Sequence, residues 1–266
     1  MNKELETVAY EAFSKSHKEI FHFEYEGKRY WLKKARRAGA NVFHRLGYTL
    51  TKISLLAPPL VQSKNEALKH ESSKLKKLHS LGASVPKVEL ITKDFFILND
   101  TGVAVLDAVR VLKEDEKKIC LEKTIKELAL LHNHGEYHGG SQIKNFTYKN
   151  EEVFILDFEE NFSKEIELNK LFTRDLFLLF FSLFKHSISA DYEELLRVYK
   201  EVKKEPNEVV KEFLNYSKRF KKIRAFLKLN FFQKTMDKDT KSILKMLDAF
   251  LEIDEKWRKD GNFTSN

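Results

Sequence analysis

The chain has 266 residues, 42% of them hydrophobic and 33% charged, with only four prolines and nine glycines. That is enough apolar material for a substantial core in one bilobal domain or two small ones, and it excludes collagen-like or low-complexity character. A net charge of +8 suits polyanions or simply a well-solvated surface, and the lone Cys120 cannot close an intrachain disulfide, which points to a reducing cytosol.

The opening stretch, MNKELETVAYEAF, predicts a short amphipathic helix with no secretory signal. Residues 19–34, EIFHFEYEGKRYWLKK, predict a hairpin: Phe21, Phe23 and Tyr25 alternate, Glu26-Gly27 turns the chain, and Tyr30-Trp31-Leu32 begins the return strand. A basic stretch follows, RRAGANVFHRLGYTL, helical in character after Gly39. A helix is expected over 65–81, with Leu68, Leu75 and Leu78 on one side and Gly82 as its stop. Val88–Thr92 and Phe95–Leu98 read as strands, and Asn99-Asp100-Thr101-Gly102 as a turn.

Glu114 to His132 carries Cys120, Leu121, Ile125, Leu128 and Leu131 at helical spacing. The loop HGEYHGGSQIKN breaks it, and strands at Phe146–Tyr148 and Val153–Leu156 flank a turn at Lys149-Asn150-Glu151. After Asp157, four or five helices are expected. The apolar run Leu176 to Phe184 is about half the ~20 residues a membrane span needs, so it reads as a buried helix. Strands first and helices later predict an α+β fold with two lobes, drawn at 1–101 and 102–266.

The residues at the joints sharpen this. Phosphoryl transfer requires a lysine at the nucleotide phosphates, a helix carboxylate to hold that lysine, and an Asp and an Asn to carry metal. The segment ILDFEEN sets an apolar strand directly before Asp157-Phe158, with Glu159 where such loops usually have glycine. Asn145 lies twelve residues upstream, and the intervening hairpin returns both side chains to one end, where magnesium can bridge them. The carboxylate that orients the attacking hydroxyl belongs five residues before Asn145, and that residue is Gly140. A rival register makes Glu136 the base and Ser141 the stand-in for asparagine, but it leaves Asn145 without a role. Glu136, His138 and Glu159 are the substitutes in reach, each with a structural reading as well.

Three further motifs carry the resemblance: Trp31-Leu32-Lys33 ending a strand, Arg36-Arg37, and Glu71 fifteen residues before Pro86 in GASVP. Over roughly residues 20–185 the chain resembles the Kdo and heptose kinases that phosphorylate the inner core of lipopolysaccharide, and more distantly the RIO kinases. The resemblance implies a protein-kinase-like fold, with a small β-rich N-lobe and a larger helical C-lobe, that uses ATP and Mg2+. It implies that Lys33, or its neighbour Lys34, contacts the phosphates. Glu71, with Glu66 in reserve, would pair with that lysine. Asn99 to Gly102, beginning with Asn99 and Asp100, would form the interlobe hinge, whose backbone groups would bind adenine; Asn145 and Asp157 would hold metal, and Asp175 would brace the catalytic-type loop. No Gly-rich phosphate loop precedes the hairpin.

Two other patterns carry less. His132, His134 and His138, with Glu136 between them, have metal-binding side chains but no standard zinc spacing, so helix capping and loop bracing are the simpler reading. Residues 218–234, KRFKKIRAFLKLNFFQK, interleave basic and apolar residues. They suit either peripheral contact with the inner membrane or an ordinary C-lobe helix. No specific nucleic-acid signal is present. The expected function is ATP-dependent transfer to a sugar hydroxyl of a lipopolysaccharide core, in the cytoplasm or at its membrane face. The alternative is a pseudokinase that binds nucleotide without transfer, and a thinner third reading is transfer of AMP.

Overall fold

The computed structural model describes residues 3–37, 57–219 and 237–260. In chain order they form α1 (Lys3–Lys15), β1 (Ile20–Tyr25), β2 (Lys28–Lys34), α2 (Lys64–Ser80), β3 (Val88–Ile91) and β4 (Phe95–Asn99). Then come β5 (Val103–Ala104), the one-turn α3 (Val105–Ala108), α4 (Glu114–Asn133), β6 (Phe146–Lys149) and β7 (Glu152–Ile155). Four longer helices follow: α5 (Leu168–Lys185), α6 (Tyr192–Val202), α7 (Asn207–Arg219) and α8 (Lys238–Lys259). The fold is α+β, a small antiparallel lobe joined to a larger, mostly helical one, and expected element ends shift by only a residue or two.

The first sheet has the order β1-β2-β4-β3. Glu26 and Gly27 both take positive φ, 50° and 70°, the geometry of a tight hairpin turn whose twist matches its strands. Strand alternation then sorts the side chains. Leu32 lies opposite Ile97, Lys33 opposite Phe96, and Lys34 opposite Phe95. The face carrying Leu32, Phe95 and Ile97 is covered by α1, with Ala9 buried and Phe13 against it. The opposite face carries Trp31, Lys33 and Leu98 and looks into the space between the lobes.

A single large core runs across that space. Leu68, Leu75 and Leu78 of α2 and Phe96 of β4 belong to the same buried cluster as Leu128, Phe146, Ile155, Leu176, Phe180 and Trp257. Burial of this much apolar surface is the main favourable contribution to folding. The lobes are therefore joined by shared packing as well as by the connection from β4 to β5. That connection requires Gly102, at φ +94°, since a Cβ there would stand 2.2 Å from the Tyr148 carbonyl oxygen. The boundary drawn at 101/102 falls inside it.

No described helix is long and apolar enough to cross a membrane. The helical stretch expected after Gly39 lies outside the described residues, as does 220–234 of the basic segment. Lys218, at the start of that segment, has its ammonium 2.7 Å from the buried Asp254 carboxylate.

Candidate active site

Lys33 enters the site from β2 and Glu71 from the buried face of α2. The helix is set by a capping box in which Ser63 accepts from the Glu66 N–H and the Glu66 carboxylate accepts from the Ser63 N–H. Glu66 is thus committed to the helix end and drops out as partner of Lys33. Lys34 drops out too, because its ammonium donates to the Phe13 and Ser16 carbonyls on the α1 side of the sheet. Lys33 Nζ lies 2.7 Å from Glu71 Oε1, 2.5 Å from Asp157 Oδ1 and 3.7 Å from Glu159 Oε2. Lys33 is 6% exposed and Glu71 3%, so Glu71 is not the solvated carboxylate that a lysine-rich helix suggests.

Three carboxylates share this one ammonium, with Glu159 also held by Arg36 at 2.6 and 3.1 Å. Burial disfavours the Lys33 charge, but Glu71, Asp157 and Glu159 outweigh it and hold the lysine firmly protonated. At Glu71 burial wins instead and pushes the carboxyl up to about 7, since Lys33 is shared and Asp157 repels it. Asp157 is also disfavoured by burial, yet Lys33 brings it below its ordinary value. Its φ of +66° is uncommon for a residue with a side chain and aims the carboxylate off the strand end.

The catalytic-type loop is clamped to α5. Asp175, fully buried, accepts from the backbone N–H groups of His138 at 2.6 Å and Gly139 at 2.7 Å. Its own carbonyl accepts from Ser141 Oγ at 2.5 Å. This is the brace expected of Asp175, and it holds Ser141, fully buried, against α5. Asn145 donates its side-chain amide to the Gly140 carbonyl at 2.8 Å, and its own carbonyl accepts from the Leu156 N–H at 2.8 Å. Asn145 and Asp157 therefore lie beside each other, at the end of the β6–β7 hairpin.

Two of the side chains named as substitutes for an aspartate at position 140 are engaged elsewhere. Glu136 faces away and pairs with Lys77 at 2.5 Å. His138 is wholly buried, bonded through Nε2 to the Leu156 carbonyl and packed 4.9 Å from the Phe158 ring. Burial also lowers its proton affinity. His132 is likewise buried between Tyr199 and Asp175. The three loop histidines do not converge as ligands; among the described residues the one cluster of three or more His, Cys, Asp or Glu side chains close enough to share an ion is Glu71, Asp157 and Glu159.

A cavity of about 290 Å³ opens between the lobes. Ile20, Trp31, Leu98, Ala104 and Leu156 line its apolar part, and Lys33, Asn145 and Asp157 its polar part. At the hinge, Asn99 also lines it, though its side-chain oxygen accepts from the Lys87 N–H. Asp100 is turned to other work, accepting from Trp31 Nε1 and from the Lys149 ammonium, both at 3.0 Å. An apolar slot for a flat base with a lysine at its far end is chemically suited to a nucleotide. The Asp157 carboxylate and Asn145 amide oxygen are the hard ligands that magnesium takes. The Asn145 nitrogen is already committed to Gly140, which leaves its oxygen for that purpose.

Sequence reasoning missed the pairing of Arg36 with Glu159, the Trp31–Asp100 bond across the hinge, and Glu160, whose carboxylate rests against Gly140. Two basic residues after the Lys33 strand and two acids after Phe158 were the available signal for the first. Nothing local marks Glu160.

No family model matches the chain. An uncharacterized protein of Haemophilus influenzae is 30% identical over 174 residues, and the match spans 65% of each chain, just under two thirds of that relative's length. Among solved structures, WaaP in complex with acyl carrier protein superposes with a TM-score of 0.48 at 13% identity, covering 80% of this chain and 92% of that one. Vaccinia related kinase 3 does so with a TM-score of 0.32 at 12% identity, over 75% and 68%. The antiparallel lobe bearing Lys33, the buried Glu71 helix, the β4–β5 hinge and the hairpin joining Asn145 to Asp157 make this a protein-kinase-like fold.

Proposed function

We propose that the protein is an ATP- and magnesium-dependent phosphotransferase acting on a hydroxyl acceptor, with residues 1–101 and 102–266 as its two lobes. The observation that carries this reading is Lys33, buried and bonded to both Glu71 and Asp157, at the polar end of an apolar interlobe cavity beside Asn145. Lys33 holds the phosphates, Glu71 holds Lys33, and the hinge at Asn99 meets the base. Magnesium, when bound, neutralises the charge on the transferring phosphoryl group. Asp157 and Asn145 are the residues that would hold it. The acceptor class, a sugar hydroxyl of a lipopolysaccharide core, rests on the motifs around Trp31-Leu32-Lys33, Arg36-Arg37 and Glu71 through Pro86. Work on a lipid-linked sugar suits the cytoplasmic face of a membrane.

Incubation with magnesium and γ-labelled ATP should label lipopolysaccharide core acceptors, and the label should vanish in Asp157→Ala. Tight ATP binding with no transfer to any core glycan would defeat the reading. Gly140 favours a second one, a nucleotide-binding module without transfer. In that case cellular function survives Asp157→Ala, or tracks nucleotide binding alone.

A further inference from the structure

Gly140 is not a glycine for reasons of backbone shape, since it is absent from the glycines with positive φ. The space its missing side chain would fill is already taken. A Cβ built on Gly140 would stand 3.2 Å from Glu160 Oε1 and 3.5 Å from Glu160 Cδ. An aspartate there would set its carboxyl carbon one C–C bond, about 1.5 Å, further out, and so crowd the Glu160 carboxylate wherever it turned toward it.

The neighbouring glycine makes the approach possible. At Gly139, φ is +96° and a Cβ would meet Glu160 Cβ at 2.8 Å and the Phe162 ring at 3.0 Å. The pair Gly139-Gly140 thus forms a seat for Glu160. Arg174 steadies it, with Nη2 3.4 Å from Glu160 Oε2 while its Nε donates to the Gly139 carbonyl at 3.0 Å. The Glu160 side chain remains 31% exposed, so it can meet an incoming molecule. Position 140 is tied to Asn145 through the amide bond to its carbonyl. The carboxylate is therefore one residue's backbone away from Asn145.

We infer that Glu160 is the group that orients the acceptor hydroxyl and takes its proton, supplied from the loop after Asp157 in place of an aspartate at position 140. The inference rests on the phosphotransferase reading above. The hydroxyl oxygen forms a bond to the γ-phosphorus of a nucleoside triphosphate. The bond from that phosphorus to the β–γ bridging oxygen breaks, and its electron pair leaves with the diphosphate. The hydroxyl proton passes to Glu160 and on to water at its exposed edge. Burial, opposed by Arg174, raises the Glu160 carboxyl above its ordinary value, toward the range where a carboxylate is a better base.

The test uses the full chain, water as the acceptor, and the non-hydrolysable probe Mg-AMP-PNP. Wild type should show a melting shift with Mg-AMP-PNP and release phosphate from Mg-ATP. Glu160→Gln should keep the shift and lose about 100-fold or more of the rate, together with the acid limb of the pH–rate profile. Glu160→Ala should fall likewise, and Gly140→Asp in that background should recover at least about 10-fold, the carboxylate having been returned to the loop. A structural readout needs no turnover: Gly140→Asp should lower the melting temperature in wild type but not beside Glu160→Ala. Hydrolysis by Glu160→Gln at the wild-type rate would overturn the inference, as would an equal melting cost of Gly140→Asp in both backgrounds. If wild type binds Mg-AMP-PNP but never releases phosphate, the nucleotide site stands and Glu160's assignment falls. If it does not bind the probe, both fall.

Discussion

Two buried carboxylate centres lie on either side of the catalytic-type loop, and they are neutralised in opposite ways. Asp175 is satisfied by fixed donors, two backbone N–H groups and the His132 ring. Burial disfavours its charge, but the bond and field of His132, with the His138 N–H, bring it below its ordinary value. Burial lowers the proton affinity of His132, and since an ionised carboxylate only accepts, it is the ring Nε2–H that donates to Asp175. Around Lys33, by contrast, Glu71, Asp157 and Glu159 divide one ammonium between them, and Glu71 is left partly uncompensated. Backbone donors cannot leave, so the first arrangement makes a rigid support. A shared side-chain cation can be redistributed when another anion approaches, so the second arrangement can respond to one.

The comparison can be broken at its rigid end first. Asp175→Ala strands two backbone N–H groups in the core and unties the loop from α5. It should cost about 3–5 kcal/mol, as removal of one partner from a buried charged network does, read as a lower urea midpoint with unchanged slope. Lys33→Met should cost less, about 1–3 kcal/mol, because water reaches Asp157 and Glu159 and Glu71 can take up a proton. Its melting shift with Mg-AMP-PNP should disappear, and a retained shift would show that Lys33 does not meet the phosphates.

The smallest effect concerns pH. The folded Glu71 carboxyl titrates near 7, against 4.5 for the ordinary group. The folded state therefore holds its proton more tightly, and this contribution is fully present at pH below about 4.5 and lost as pH rises through about 7. Glu71→Gln does not titrate. Its stability relative to wild type should improve across that window and level off above it, as followed by urea unfolding at stepped pH. A constant difference at all pH values would mean that Lys33 fully compensates Glu71, which would erase the contrast with Asp175.

Legibility in the sequence followed the range of the interactions. The hairpin at Glu26-Gly27, the helix carrying Leu68, Leu75 and Leu78, and the order Lys33, Glu71, Asn145, Asp157 were all readable, because strand alternation, helical spacing and turn residues act over a few positions. The brace at Asp175 came from the family resemblance, since its place near the start of an apolar helix suggests by itself only a carboxylate favoured by the helix dipole. Substitution of Glu136 or His138 for the missing base was also suggested by proximity in sequence, and there proximity misled. Lys77 holds Glu136 away, and His138 is enclosed by Asp175, Phe158 and the Leu156 carbonyl.

The sequence by itself determined that a lysine strand, a glutamate helix and an Asn–Asp hairpin occur in the order of a kinase-like fold, and that position 140 lacks a side chain. Alternation showed that Lys33 and Lys34 point to opposite faces. Only the packing of α1 over one face decided that Lys33 looks into the cavity. Only tertiary structure, too, brought Glu160 against Gly140, because that contact depends on the close approach of two loops whose spacing no local period encodes. Beside the position without a side chain there thus stands a carboxylate from another segment, 3.2 Å from where a Cβ would be.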